Sequence, residues 1–201
     1  FEISQTSGED SIESIIAPAH LVMKALEKTE NIGIAYTYNE PTVFFEMMEE
    51  TARLAKKNAL LNVLISNGYI NEQPLEILID IIDAFNIDLK SFSQEFYRRY
   101  TGGSLSPVLR NIKRIRQAGI HLELSFLLIP GMNDDAEQFS HMVHWIKNEL
   151  GPETVLHISK YFPHFKLKTP PTPLSQLVDF YVFAKSELSY VYLGNVQHEG
   201  S

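Results

Sequence analysis

The sequence predicts an α/β fold in which parallel strands alternate with helices, arranged as an open or closed barrel. Three observations carry that expectation. Short apolar runs of strand type recur along the 201 residues, and segments of helical periodicity separate them. Because the strands are joined through helical patterns rather than hairpin turns, right-handed βαβ crossovers and a mostly parallel sheet follow. Polar groups gather just after the strand runs, where barrel folds place their ligand-binding residues. A doubly wound sheet is the structural alternative, since periodicity does not determine strand order. A chain of this length buries a substantial core and most simply forms one domain, 1–201.

The elements read in order as follows. Ile12, Ile15, Ile16, Ala19, Val22, Met23 and Leu26 repeat at helical spacing over 12–28. Residues 32–38 form a first strand run, and Pro41 then opens a helix through about residue 58. Residues 60–65 supply the second strand, closed by the turn Ser66-Asn67-Gly68. Asn71 is placed to cap a helix bearing Leu75, Leu78, Ile81 and Ile82. A short strand at 84–89 leads into a polar loop containing Gly102 and Gly103. Ser106 and Pro107 read as the cap and first turn of a helix ended by Gly119, and 120–129 as a long strand stopped by Pro130-Gly131. Asp134 and Glu137 have capping-box spacing before the next helix. A strand at 155–161, a helix from Pro173 to about Leu188 and a strand at 190–193 complete the series.

Composition excludes several classes. Hydrophobic residues make up 44% of the chain and no apolar run approaches transmembrane length, so a soluble globular protein of cytoplasmic residence is expected, without a membrane role. Residues 1–20 lack the basic flank and apolar core of a secretory signal. The formal charge of -8 opposes a broad nucleic-acid surface. There is no cysteine, hence no disulfide scaffold.

The candidate chemistry lies beyond the strands. Glu40 either accepts a bond from an ammonium or ribose donor or serves as a carboxylate at the start of the following helix. Asn67 pairs with a polar cofactor edge or simply forms an Asn-Gly turn. Asp88 and Lys90 alternate and share a strand face, where they organise a ligand or form a salt bridge on the rim. His121, Glu123 and Ser125 make a polar column opposite Leu122, Leu124 and Phe126, the pattern of a strand lining a wet cavity or of an exposed edge. His164 binds substrate, transfers a proton, or belongs to ordinary loop chemistry. No P-loop or HExxH motif occurs.

Taken together, Tyr36-Thr37-Tyr38-Asn39-Glu40-Pro41, Ser66-Asn67-Gly68-Tyr69, Asn86-Ile87-Asp88-Leu89-Lys90, Leu128-Ile129-Pro130-Gly131-Met132-Asn133-Asp134 and Val191-Tyr192-Leu193-Gly194-Asn195-Val196 closely resemble radical S-adenosylmethionine proteins. The nearest branch is the pyruvate formate-lyase activating enzyme-like group, including AmmeMemoRadiSam-system members. The resemblance implies a partial (β/α)6 barrel, with S-adenosylmethionine and a [4Fe–4S] cluster as cofactors. It implies reductive cleavage to a 5′-deoxyadenosyl radical that abstracts hydrogen, as in a glycyl-radical-enzyme activase or another oxidoreductase. The partners implied are a protein or small-molecule hydrogen donor and a reductant such as flavodoxin or ferredoxin. Phe1-Glu2-Ile3-Ser4-Gln5 is similar to the stretch that follows the family's CxxxCxxC loop. The N-terminal strand and the metal-binding cysteine loop are therefore expected upstream of Phe1, and the 201 residues alone are expected to be inactive.

Residue by residue, the resemblance assigns Glu40 to the cofactor's methionine amino group, Ser66 and Asn67 to the cofactor edge, and Asp88 and Lys90 to the DxK feature of the rim. Ile65 stands where the family often has an acidic residue. Glu123 and His164 are assigned to the substrate side as catalytic candidates. The competing reading is a cysteine-free cofactor-binding or interaction protein on the same scaffold.

Overall fold

A computed structural model of the chain describes residues 17–196. The Phe1–Gln5 segment and the helical positions Ile12, Ile15 and Ile16 lie outside the described residues. The described chain divides into two compact units, one comprising the chain up to Ser66 together with Asn71–Phe85, the other Asn67–Ile70 together with the chain from Asn86 onward. Six strands form one sheet in the sequential order β1-β2-β3-β4-β5-β6. Every strand expected from the sequence is present.

The first unit holds α1 (Pro18–Leu26), β1 (Gly33–Tyr36), a 3₁₀ turn (Pro41–Phe44), α2 (Phe45–Lys57), β2 (Leu61–Ser66) and α3 (Glu72–Ile81). β1 and β2 run parallel with Gly33 opposite Leu61. A Cβ on Gly33 would stand 2.3 Å from the Leu61 carbonyl oxygen, so only glycine permits this approach. Val22, Ala55 and Leu60 are buried together, with Ala25, Ile34 and Leu54 packed against them. Asn71 holds the cap position of α3, but its side chain makes no capping bond.

Asn62 is fully buried in this unit, and both ends of its amide are satisfied. Its Nδ2 donates to the carbonyls of Ala52 and Ile81, each at 3.0 Å, and its Oδ1 accepts from the Tyr36 hydroxyl at 3.0 Å. Its backbone N–H donates to Asp83 Oδ2 at 2.7 Å. One polar side chain thereby ties the end of β1 to α2 and to the last turn of α3. Burial pushes the Tyr36 phenol well above its ordinary pKa, so that it stays a hydrogen donor.

β3 (Ala84–Asp88) leads into the second unit, which continues with α4 (Gln94–Phe96), a π-helical turn (Tyr97–Thr101), α5 (Leu105–Gln117), β4 (His121–Leu128), α6 (Ala136–Glu149), β5 (Val155–Lys160), α7 (Leu174–Glu187) and β6 (Val191–Gly194). β4 pairs in parallel with β5, and β5 with β6. On β4, Leu122, Leu124, Phe126 and Leu128 are buried, while His121, Glu123 and Ser125 occupy the other, more open face as their alternation predicts. Leu105, Val108, Ile112 and Ile115 bury one face of α5.

Three local expectations are corrected. The polar loop after β3 folds into α4 and the π-helical turn, because Ser93 Oγ accepts from the Phe96 amide and starts a helical turn. The cap position of α5 is Ser104 rather than Ser106, which lies inside the helix. Asp135, not Asp134, caps α6 by accepting from the Gln138 amide at 2.8 Å. Asp134 is engaged instead by the Gly131 amide and the Gln176 side chain.

Asn62→Ala would take the side-chain partner from the Ile81 carbonyl and the Tyr36 phenol and a further bond from the Ala52 carbonyl of α2, and should cost about 2–4 kcal/mol in chemical denaturation. Tyr36→Phe removes a single partner and should cost about 1 kcal/mol.

Candidate functional site

Where β3, β4, β5 and β6 end, the second unit opens a cavity of about 400 Å³. Asp88, Lys90, Ser125, Asn133, Ser159 and Asn195 supply its polar wall, with Phe96, Leu127 and Ile129 among the apolar residues. This volume lies in the range of small-molecule and cofactor sites, and the mixed lining is typical of them. Lys90 Nζ donates to Asp88 Oδ2 at 3.1 Å, and both side chains are about two-fifths exposed, at 41% and 42%. So exposed a pair contributes little to stability.

The position of Lys90 is set through its backbone. Buried Asn133 donates from Nδ2 to the carbonyls of Lys90 and Leu127, both at 2.8 Å, and its Oδ1 accepts from the Ile129 amide at 2.7 Å. The Lys90 amide donates to the Tyr97 hydroxyl at 3.3 Å. Burial, with a smaller contribution from the Asp88 charge, pushes the Tyr97 phenol up to about 12, against the opposing effect of the Lys90 hydrogen bond. Lys90 also reaches a second cavity of about 180 Å³, shared with Asn67, Tyr69, Tyr97, Thr101, Gly102 and Gly103.

Asn67 begins the turn after β2, where its Oδ1 accepts from the Tyr69 amide at 2.7 Å. Gly68 follows at φ +71, a conformation that glycine adopts without a side-chain penalty. Asn111, buried on α5, donates from one amide nitrogen to the carbonyls of Gly68 (3.0 Å) and Ile70 (2.7 Å) and so pins the turn. At the other side of the large cavity, a Cβ on Gly194 would lie 2.3 Å from Ser159 Oγ. Glycine there leaves space for a cavity hydroxyl. Asn195 takes φ +56 and donates to the Lys160 carbonyl at 3.1 Å.

In the first unit, Glu40 is half-buried and stands at the start of the 3₁₀ turn. Its Oε1 accepts from Ser66 Oγ at 2.8 Å, Thr42 Oγ1 at 2.9 Å and the Thr42 amide at 3.3 Å. The structure shows the helix-entry reading of Glu40: the carboxylate caps the turn, and it also holds a buried serine at the end of β2.

Glu123 does not line the large cavity; it sits nearer the start of β4, on the face that also carries Ser125. Its two oxygens engage His121 Nε2 at 2.9 Å and His157 Nε2 at 2.7 Å. The His157 ring stacks on Tyr192 with centroids 5.6 Å apart. Ser125 Oγ donates to Asn86 Oδ1 at 2.7 Å, which continues the polar row. Partial burial alone raises the Glu123 carboxyl, but the hydrogen bonds from His121 and His157, with their charges, prevail and hold it below the usual carboxylate range. His164 is exposed on the loop after β5 and lines neither cavity.

The structure thus joins Asp88 to Lys90, places Asn67 beside a cavity that Lys90 shares, and joins Glu40 to Ser66. Sequence reasoning gave no role to Asn111, Asn133, Ser159 or Tyr97. For Asn111 the available signal was a lone amide on the apolar face of α5, between Val108 and Ile112.

A six-stranded parallel sheet with intervening helices and a polar cavity beyond the strand ends defines a (β/α) partial-barrel protein. The sequence pattern of the Radical SAM superfamily matches residues 6–146, and the chain belongs to that family. The uncharacterized protein MJ0808 of Methanocaldococcus jannaschii is 43% identical over 171 residues, covering 84% of this chain and 50% of that protein. The (2S)-3-sulfopropanediol dehydratase activating enzyme of Klebsiella oxytoca is 23% identical over 119 residues, 59% of this chain and 38% of that enzyme. The chain spans about half the length, or less, of these relatives. A crystallised domain of pyruvate-formate lyase-activating enzyme from Bacteroides vulgatus shares the fold at TM-score 0.69 and 16% identity, over 81% of this chain and 99% of that one. Among the described residues no helix is long and apolar enough to cross a membrane.

A group whose folded pKa is depressed contributes stability above its unfolded value and loses it as pH falls through the folded value. Glu123→Gln should therefore destabilise the protein at neutral pH, and the difference from wild type should fade below the ordinary glutamate range. Denaturant titrations at pH 7 and at stepped acidic pH measure this; a difference independent of pH would contradict it.

Proposed function

We propose that this chain is the cofactor-binding part of a radical SAM enzyme that cleaves S-adenosylmethionine reductively and directs hydrogen abstraction, either from a protein glycine, as an activase does, or from a small molecule. The observation that carries the reading is the cavity at the strand ends with Asp88 and Lys90 on its wall, in a chain of this superfamily. Its lining fits S-adenosylmethionine in kind. Lys90 offers an ammonium for a carboxylate, Asp88 a carboxylate for a cationic group, Ser125, Ser159 and Asn195 hydrogen bonds, and Phe96 with Leu127 an apolar wall that excludes water.

In this reading Asn67 contacts a polar edge of the cofactor from beside Lys90. Glu40, oriented by Ser66 and Thr42, accepts bonds from the methionine ammonium. Glu123, held between two histidines, is a substrate-side group, and His164 acts on the substrate side from its loop. The residues present do not fit the second cofactor of the family. A [4Fe–4S] cluster takes thiolate ligands, this sequence has no cysteine, and no metal-holding group of His, Cys, Asp or Glu occurs among the described residues. Cluster ligands are therefore assigned to a cysteine loop of the longer protein, and the one-electron donor to a flavodoxin- or ferredoxin-type reductant. The absence of cysteine favours a second reading for this chain taken alone, a cofactor-binding or interaction protein on the same scaffold.

In the full-length protein reconstituted anaerobically with iron and sulfide, a low-potential reductant and S-adenosylmethionine should yield 5′-deoxyadenosine. A loaded, intact protein that forms none would leave only the second reading. With the same protein, Lys90→Ala and Asp88→Asn should each weaken S-adenosylmethionine binding about tenfold in calorimetry while the melting temperature stays unchanged. Parallel losses of binding and stability would make the pair structural.

A further inference from the structure

Beyond β5 the chain forms a loop that lines neither of the two cavities described above. Its base is fixed by buried bonds. The Tyr161 amide donates to Thr172 Oγ1 at 2.9 Å, the Thr172 amide to the Tyr161 carbonyl at 3.1 Å, and the Thr172 hydroxyl to the Leu128 carbonyl at 2.5 Å. The Tyr161 phenol donates to the Leu167 carbonyl at 3.1 Å, and the Leu167 amide to the His164 carbonyl at 3.2 Å. On this base Phe162 and Phe165 stand in solvent, 51% and 61% exposed. Lys160 Nζ lies 4.9 Å from the centroid of the Phe162 ring, and Lys166 Nζ lies 5.3 Å from that of Phe165. Phe165 takes φ +53, an unfavourable conformation for a bulky residue that gains no burial from it.

The charge of this region runs against that of the whole chain. There are 25 acidic and 17 basic residues overall, yet no Asp or Glu occurs between Glu153 and Asp179, where Lys160, Lys166 and Lys168 lie. Exposed phenyl rings under ammonium groups recognise a ligand that brings both negative charge and apolar surface.

We infer that the tip of this loop, Phe162 to Lys168 with Lys160, is a docking surface for an acidic segment of a protein partner. Carboxylates of that segment pair with Lys160, Lys166 and Lys168, and its apolar side chains cover Phe162 and Phe165. A small anion has nothing to lay on the rings, and none of these side chains lines the cavities described above. A nucleic acid would meet a chain of net charge -8 over most of its length. The inference shares this loop with His164, assigned above to the substrate side, but rests on Phe162, Phe165 and the lysines and not on the radical chemistry.

Fluorescence anisotropy on the full chain tests it with a short fluorescein-labelled peptide alternating glutamate and leucine. An all-glutamate peptide, oligo(dT) and unlabelled inorganic phosphate serve as comparisons. The Glu-Leu peptide should bind more tightly than the all-glutamate peptide and weaken with added salt, as exposed charges are screened over about 10 Å at 0.1 M. The double variant Lys166→Glu, Lys168→Glu should lose about tenfold in affinity, and Phe162→Ala with Phe165→Ala about fivefold, with unchanged melting curves. The proposal is overturned if the Glu-Leu peptide does not bind, if the charge-reversal variant binds it equally well, or if phosphate displaces it. Oligo(dT) binding as tightly as the peptide would overturn it in favour of a nucleic acid.

Discussion

Chain leaving a buried strand end must satisfy its backbone groups without the sheet, and two buried asparagines, Asn111 and Asn133, meet that need here, while a third, Asn62, serves helix carbonyls. Asn62 closes two carbonyls in the first unit, Asn111 closes the turn after β2, and Asn133 closes the carbonyls of Lys90 and Leu127. An amide suits the task because its two N–H donors reach two carbonyls from different elements at once. The alternative is a buried unpaired carbonyl, which costs about 1–3 kcal/mol. The loops are thereby held by groups inside the protein, and their outward side chains are left for chemistry.

This division of labour explains the character of the cavity. The Asp88–Lys90 pair is too exposed to anchor anything by its own attraction, yet Lys90 is firmly placed because Asn133 and Tyr97 hold its carbonyl and amide. Glycine does the same service by absence. Gly194 lets β6 lie close to Ser159 without displacing the hydroxyl from the cavity wall. The Glu123 cluster follows a different logic, with a carboxylate kept charged by two histidines on the open face of the sheet.

Much of the architecture was legible in the residues because it depends on local periodicity. The alternation in β4 correctly assigned His121, Glu123 and Ser125 to one face and the leucines to the other. Helix starts were less legible, since adjacent polar residues offer equivalent caps. Asp134 and Asp135 both suit the start of α6; the choice fell to Asp135 because the Gly131 amide and Gln176 occupy Asp134. Ser104 and Ser106 pose the same ambiguity before α5.

The sequence by itself determined the succession of the strands and longer helices along the chain, though not α4 and the π-helical turn, together with the parallel class of the sheet, the family, and the identity of the polar groups at the strand ends. Periodicity and short motifs suffice for these, as each is carried by neighbours along the chain. Only the tertiary structure decided which polar groups meet. That Glu123 engages His157 depends on the parallel register that sets Ser125 opposite His157. That Asn133 supports Lys90 joins residues 43 positions apart. Such pairings are fixed by packing and by the need to satisfy buried backbone, and neither leaves a periodic trace in the chain.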